Sequence, residues 1–251
     1  VETQTWNGDN VDLPDADPPP DGEAPAGVDY DFWLGPAPKR PYNPRRFHVH
    51  WRWRFDYGGG MLTDWNVHSQ DIVHLAMGVD APRSVAMAGR VERERSFREA
   101  PDTATAVYDY EAPQGAFTQT YSLRRTNAFA PAVLPFHWHH GIAFLGRAGT
   151  LFVNREGWAL IPERKGAEPR RGARSDGLDR HVAGFLDCVR TRQEPAGGVA
   201  SMHGTTNACH LANIAWRVGR RIYWDLKAER CFRDRALRVP DDAANALLGR
   251  E

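Results

Sequence analysis

The chain has no net charge: 32 basic residues face 32 acidic ones. No broad electrostatic footprint therefore argues for nucleic acid or an anionic membrane surface as a partner. Lysine is nearly missing, with only Lys39, Lys165 and Lys227 present, so candidates for a catalytic lysine are few. The cysteines Cys188, Cys209 and Cys231 stand far apart and form no CxxC pair. That spacing excludes the usual zinc and redox frameworks and makes core positions in a reducing compartment the expectation. No apolar run reaches the roughly 18 residues that cross a bilayer, and no basic-then-apolar leader opens the sequence. A soluble, cytoplasmic chain is expected, although Val1 is not Met and Val-Glu-Thr-Gln-Thr-Trp reads as a strand already under way. Such an opening suggests the C-terminal part of something longer, from which an export signal could be lost. A GxGxxG turn between a strand and a helix is missing as well. Gly146-Arg147-Ala148-Gly149 lies between strand-like runs and reads as a hairpin turn. No cofactor-binding residue is expected within this chain.

What is present is organised around Asp56 to Gly78, DYGGGMLTDWNVHSQDIVHLAMG. Three glycines, Gly58 to Gly60, separate an aromatic run (Trp51, Trp53, Phe55) from a segment with helical spacing. A triple glycine permits φ > 0 and close approach of another group, so a substrate-facing junction is expected there. Asp64 and His68 follow at a spacing of four, which puts a carboxylate and an imidazole on one helix face. They suit an acid/base pair, or else a first-turn acid and a packed histidine.

Residues 7–47 form a Pro/Gly-rich loop region whose Trp33 turn could fold over a pocket. Residues 48–55, HVHWRWRF, alternate and predict a strand with Val49, Trp51, Trp53 and Phe55 on one face. Strands are expected at Ser84 to Val91, Thr105 to Glu111, Ala116 to Arg124 and within Gly141 to Ile161, joined by tight turns at Pro113-Gln114-Gly115, Gly146 to Gly149 and Asn154 to Gly157. Residues 163–177 lack periodicity and read as a flexible loop. Two helices follow. Val182, Phe185, Leu186 and Val189 give the first an apolar stripe expected to lie on the sheet, and Ala208, Leu211, Ala212, Ala215 and Val218 repeat the spacing in the second, with Gly219 placed to stop it. A strand at Arg221 to Trp224 and a short helix near Asp241 to Leu248 precede the tail, 241–251. The expected fold class is α+β, an open, mostly antiparallel sheet with helices on one face, built as a single domain over residues 1–251.

Four segments resemble the C-terminal domain of Gfo/Idh/MocA oxidoreductases, the glucose-fructose oxidoreductase and inositol dehydrogenase group. They are Tyr30 to Pro38 (YDFWLGPAP), Tyr57 to His68 (YGGGMLTDWNVH), His181 to Arg192 (HVAGFLDCVRTR) and His203 to Asp225. The resemblance implies the same open-sheet fold and a nicotinamide cofactor, NAD or NADP, held mainly by an N-terminal Rossmann domain that also supplies a catalytic lysine. Neither belongs to this sequence, so this chain alone is not expected to catalyse hydride transfer. The implied activity of the complete protein is oxidation of a CH-OH group of a sugar or cyclitol. His68 would be the general base and Asp64 would orient it, matching the family's DxGxH with Asn66 where glycine is usual. Asn tolerates left-handed geometry, so the turn can survive. Trp33, Tyr57, Trp65 and Asn66 stand in the matching segments and are the residues expected against the substrate.

Two readings of other classes remain open beside this one. One is a non-catalytic sugar-binding or oligomerisation module. The other is a metal-dependent sugar lyase or isomerase using histidines such as His137 and His139, but no carboxylate or cysteine supports them at a ligand interval, so no metal residue is assigned. Association as a homodimer or homotetramer through the sheet face is expected, because Phe117, Tyr121, Phe144 and Trp158 would form an apolar patch if they lay on the uncovered face.

Overall fold

A computed structural model describes residues 2–7, 19–91, 97–124, 139–173 and 177–248. Its centre is a mixed sheet of ten strands: β1 (Glu2–Asn7), β2 (Ser84–Arg90), β3 (Thr103–Ala112), β4 (Gly115–Leu123), β5 (His140–Gly146), β6 (Gly149–Asn154), β7 (Gly157–Pro162), β8 (Arg170–Ala173), β9 (Ile222–Asp225) and β10 (Arg230–Phe232). Their order across the sheet is β10-β9-β2-β3-β4-β1-β5-β6-β7-β8. All pairs are antiparallel except β1 with β4. The opening strand thus lies inside the sheet, where it joins two meanders that are distant in sequence. Each predicted tight turn is present: Ala112 pairs with Gly115, Gly146 with Gly149, and Asn154 with Gly157.

The helices are α1 (Tyr30–Leu34), α2 (Met61–Asp64), α3 (Asn66–Met77), α4 (Gly177–Thr191), α5 (Val199–Val218) and α6 (Asp242–Leu247). Helices α3 and α5 cover one face of the sheet. Strict alternation supplies the layer beneath them: Ala104, Ala106, Tyr108 and Tyr110 of β3, with Phe117, Tyr121 and Leu123 of β4, are buried together with Val73, Leu211, Ala212 and Ala215 from the helices. The other face of these strands carries Thr105, Asp109, Glu111, Thr118, Thr120 and Ser122 beside Val107 and Ala116, a mostly polar surface. Phe117 and Tyr121 therefore belong to the core, and the apolar patch expected of them on the open face is not built from them. Gly78 ends α3 at φ +64°, and Gly219 ends α5 at φ +69°. Both are left-handed caps of the kind glycine favours.

Three local expectations need correction. Residues 48–55 form no strand; His48–Trp53 is a 3-10 segment. His48 adopts φ +49°, and the backbone bonds run locally, from His50 N to Phe47 O and from Arg54 N to Trp51 O. The alternation there reflects a tight helix that inserts Trp53 into the core, not a pleat. Within the stretch 163–177 lies β8, which pairs with β7 through Leu160 and Arg170 to Gly157 and Ala173. An edge strand exposed on both sides needs no apolar alternation, so periodicity misses it. Helix α4 buries no residue; its stripe does not lie on the sheet. The loop region 7–47 also contains structure of its own, α1 and a 3-10 turn at Pro44–Arg46.

Candidate functional site

The triple glycine serves packing. A Cβ on Gly58 would stand 3.0 Å from the Arg52 carbonyl, one on Gly59 only 2.5 Å from Asn213 Nδ2, and one on Gly60 2.6 Å from the Ala100 methyl. Gly60 also takes φ +65° as it opens α2. Asn213 Nδ2 of α5 donates to the Gly59 carbonyl at 2.8 Å, tying the junction to the helix layer. Gly59 and Gly60 are buried, so these two glycines face the protein and not a substrate.

Beyond the junction, α2 stops at Asp64 and α3 starts at Asn66, with Trp65 between them at φ −98°, ψ −42°. Trp65 keeps right-handed helical dihedrals, so the chain passes from α2 into α3 without leaving the helical region. Asp64 bonds to Arg52, whose Nε donates to its carboxylate at 2.7 Å. Its negative charge still bears on His68 and favours the imidazolium. His68 is exposed. Partial burial, followed by the positive charge of Arg155, holds its imidazole below the ordinary histidine range.

Around Trp65 the chain brings together residues from three elements. The His68 ring meets it edge-on at 6.0 Å, His140 at the start of β5 approaches to 4.7 Å, and the Arg155 guanidinium from the β6–β7 turn lies 5.4 Å from its centroid. Arg52, His140 and Arg155 were not anticipated as site residues. Arg52 looks like one polar position of a strand, Arg155 like a turn residue, and His140 is the last residue of the HWHH run, of which His137 lies outside the described residues.

The expected substrate residues separate. Trp33 and Tyr57 pack together at 5.3 Å and line a cleft of about 480 Å³ with Leu34, Pro36, Trp51 and Asp56. The Trp51–Arg52 step links this cleft to Asp64, because the Arg52 guanidinium lies over the Trp51 ring at 5.2 Å while holding the carboxylate. Trp65 belongs to the His68 cluster. Asn66 belongs to neither: it is wholly buried, with Nδ2 3.4 Å from Tyr108 Oη and 3.7 Å from Cys209 Sγ. As a correction, it anchors α3 to the sheet from a helical position, and a substrate cannot reach it without moving that helix.

Deeper along α3, Gln70 and His74 continue this polar interface. Gln70 Nε2 donates to Tyr110 Oη and to Gln119 Oε1 at 3.0 Å, and Gln119 returns a bond to Gln70 Oε1 at 3.0 Å. His74 contacts Tyr110 Oη through Nε2 at 3.0 Å and Thr205 Oγ1 through Nδ1 at 3.3 Å. Burial lowers the His74 pKa to about 4. Among the described residues no three His, Cys, Asp or Glu side chains form a metal-binding group. Nor do the described residues offer a dinucleotide cradle: the parallel pair β1–β4 is not joined by a glycine turn into a helix. No helix among them is long and apolar enough to cross a membrane.

Residues 9–126 match the sequence model of an oxidoreductase family, described as its C-terminal alpha/beta domain, from the Gfo/Idh/MocA group. This part of the chain is similar in sequence to that C-terminal domain. Solved structures agree on the fold. A protein named as an NADPH-dependent oxidoreductase from Desulfitobacterium hafniense superposes with a TM-score of 0.54 at 15% identity, over 88% of this chain and 55% of its own. One named as an oxidoreductase from Erwinia carotovora atroseptica gives 0.52 at 17%, over 86% and 55%. The WlbA dehydrogenase from Bordetella pertussis, solved with NADH and UDP-GlcNAcA, gives 0.51 at 15%, over 90% and 54%. The chain thus spans about half the length of the structures it matches. No curated protein matches the sequence.

Proposed function

We propose that this chain is the substrate-binding part of a nicotinamide-dependent oxidoreductase that acts on the CH-OH group of a sugar or cyclitol. The observation that carries the reading is the state and placement of His68. It is exposed, next to Trp65, and burial together with Arg155 keeps its imidazole neutral around neutral pH. A carbonyl forms from an alcohol only if the hydroxyl proton and the hydride both leave, and a neutral imidazole is a competent acceptor for the proton. Asp64 stabilises the imidazolium that results, while Arg52 fixes the position of that carboxylate. Trp65 presents an aromatic wall beside the ring, and the Trp33–Tyr57 cleft lies on the other side of the Arg52 link.

The residues described here do not fit a dinucleotide, so the hydride acceptor, NAD or NADP, belongs to a domain outside them. With that acceptor present, the activity is assigned to the complete protein, and this chain alone would be inactive. Its open sheet face, rich in hydroxyls and acids, remains the proposed surface for homodimer or homotetramer formation.

His68→Ala in the complete protein is expected to lower turnover by roughly 10²-fold or more, the scale of a lost general base. Substrate affinity should change little. Steady-state kinetics with a sugar that the wild type oxidises decides the matter: near-normal turnover in the variant would show that His68 takes no proton.

A further inference from the structure

The arginines around the site are paired with carboxylates, with one exception. Arg40 bonds Asp56, Arg52 bonds Asp64, and Arg54 bonds Glu99. Arg155 is exposed and has no ion pair or hydrogen bond among the described residues; its contact there is the face of Trp65. Lying over a ring face consumes none of the five guanidinium N–H donors. Asp64 is held by Arg52, and among the described residues neither Asp71 nor Glu156, the next residue along, makes an ion pair with Arg155.

Arg155 also stands at a boundary. On one side are Trp65, His68 and His140; on the other is a cleft of about 720 Å³ walled by Val153, Trp158 and Leu178. A sugar with a hydroxyl at His68 would extend along this arginine toward that cleft. A guanidinium without a carboxylate partner among the described residues, beside a proton acceptor, is suited to bidentate capture of a planar or tetrahedral anion.

We infer that Arg155 is a specificity residue that binds an anionic group, carboxylate or phosphate, carried by the substrate. The inference rests on the proposed function, since it takes His68 to mark the reacting end. It adds that the preferred sugar is acidic.

The test uses the complete protein and three probes that differ only at one carbon: glucose, glucuronate and glucose 6-phosphate. Oxidation is followed by nicotinamide reduction, and binding by ligand-observed NMR, for wild type, Arg155→Gln and Arg155→Lys. The expected result is a preference for one or both anions over glucose. The ratio of kcat/KM for anion to glucose should fall roughly 10- to 100-fold in Arg155→Gln, the loss of a charge-assisted contact, and less in Arg155→Lys, which keeps charge without the fork. Which anion is preferred separates the carboxylate from the phosphate source. Equal use of all three sugars, or an anion preference that Arg155→Gln retains, overturns the inference while leaving the dehydrogenase reading in place. Arg155-dependent anion binding without oxidation of any sugar supports the anion site and counts against the dehydrogenase. Absence of anion binding overturns the inference whatever happens to glucose.

Discussion

Helices α3 and α4 invert each other. Helix α4 has the clean apolar stripe of Leu178, Val182, Phe185, Leu186 and Val189, and all five are exposed. Helix α3 has no such stripe, yet Asn66, Gln70 and His74 on its inner side are buried against Tyr108, Tyr110 and Gln119. Apolar spacing tells that a helix has a face suited to burial; it does not tell what lies opposite. Beside the buried Val73 and Met77, the interface of α3 is held by directional hydrogen bonds from Asn66, Gln70 and His74, and such bonds fix one position for a helix where an apolar contact can slide. That matters here because α3 carries His68 on its outer side. The site is thus placed by the polar residues beneath it.

The comparison breaks most visibly at Gln70. Truncating it removes its bonds to Tyr110 and Gln119 and the 3.1 Å contact of its Nε2 with His74 Nε2, leaving all three buried without that partner. Gln70→Ala is expected to destabilise by on the order of 3 kcal/mol, read as a lower denaturant midpoint at an unchanged slope. A loss under about 1 kcal/mol would mean that α3 is held by its apolar contacts after all.

Comparable in size is the effect of acid on the same network. His74 titrates at about 4 in the folded protein against 6.5 for the free side chain. Between those values the unfolded chain binds the proton and the folded one does not, so stability rises with pH there. The contribution is complete above about pH 6.5 and lost as the pH falls toward 4. The shift corresponds to roughly 2–4 kcal/mol. Protonation would also set a second donor on Nε2 against the amide of Gln70. Urea unfolding at a series of pH values should show this slope in the wild type and a flatter profile in His74→Gln; an equal slope in both would assign the acid sensitivity to other groups.

How much of this was legible in the sequence follows from the kind of interaction involved. Strands β3 and β4, their turn and the caps at Gly78 and Gly219 depend on local alternation and on backbone angles that one residue can declare. The 3-10 segment at His48–Trp53 could not be told from a strand, because Trp51 and Trp53 alternate in either geometry and only the tertiary burial of Trp53 decides. Asp64 and His68 were readable as neighbours, but Arg52 captures Asp64 from twelve positions upstream through a turn built on close glycine contacts. His140 and Arg155 reach Trp65 across a sheet whose strand order no spacing reveals. The same holds for Asn66, which the motif alignment places at a substrate position and the packing places beneath the helix.

The smallest expected effect lies on the other side of the comparison, at Phe185. This side chain is 59% exposed, so replacing it removes little apolar surface from the folded state that water does not already touch. The unfolded chain exposes it as well, and hydrophobic stabilisation scales with the difference between the two. Phe185→Ser should therefore shift the stability of this chain by no more than about 0.5 kcal/mol apart from a small change in helix propensity. A buried phenylalanine would lose several times that amount, as core truncations do. Thermal and urea unfolding of the variant beside the wild type distinguishes the two, and a loss above about 2 kcal/mol would show that the stripe of α4 is covered within the chain, making α3 and α4 two versions of the same packing and not opposites.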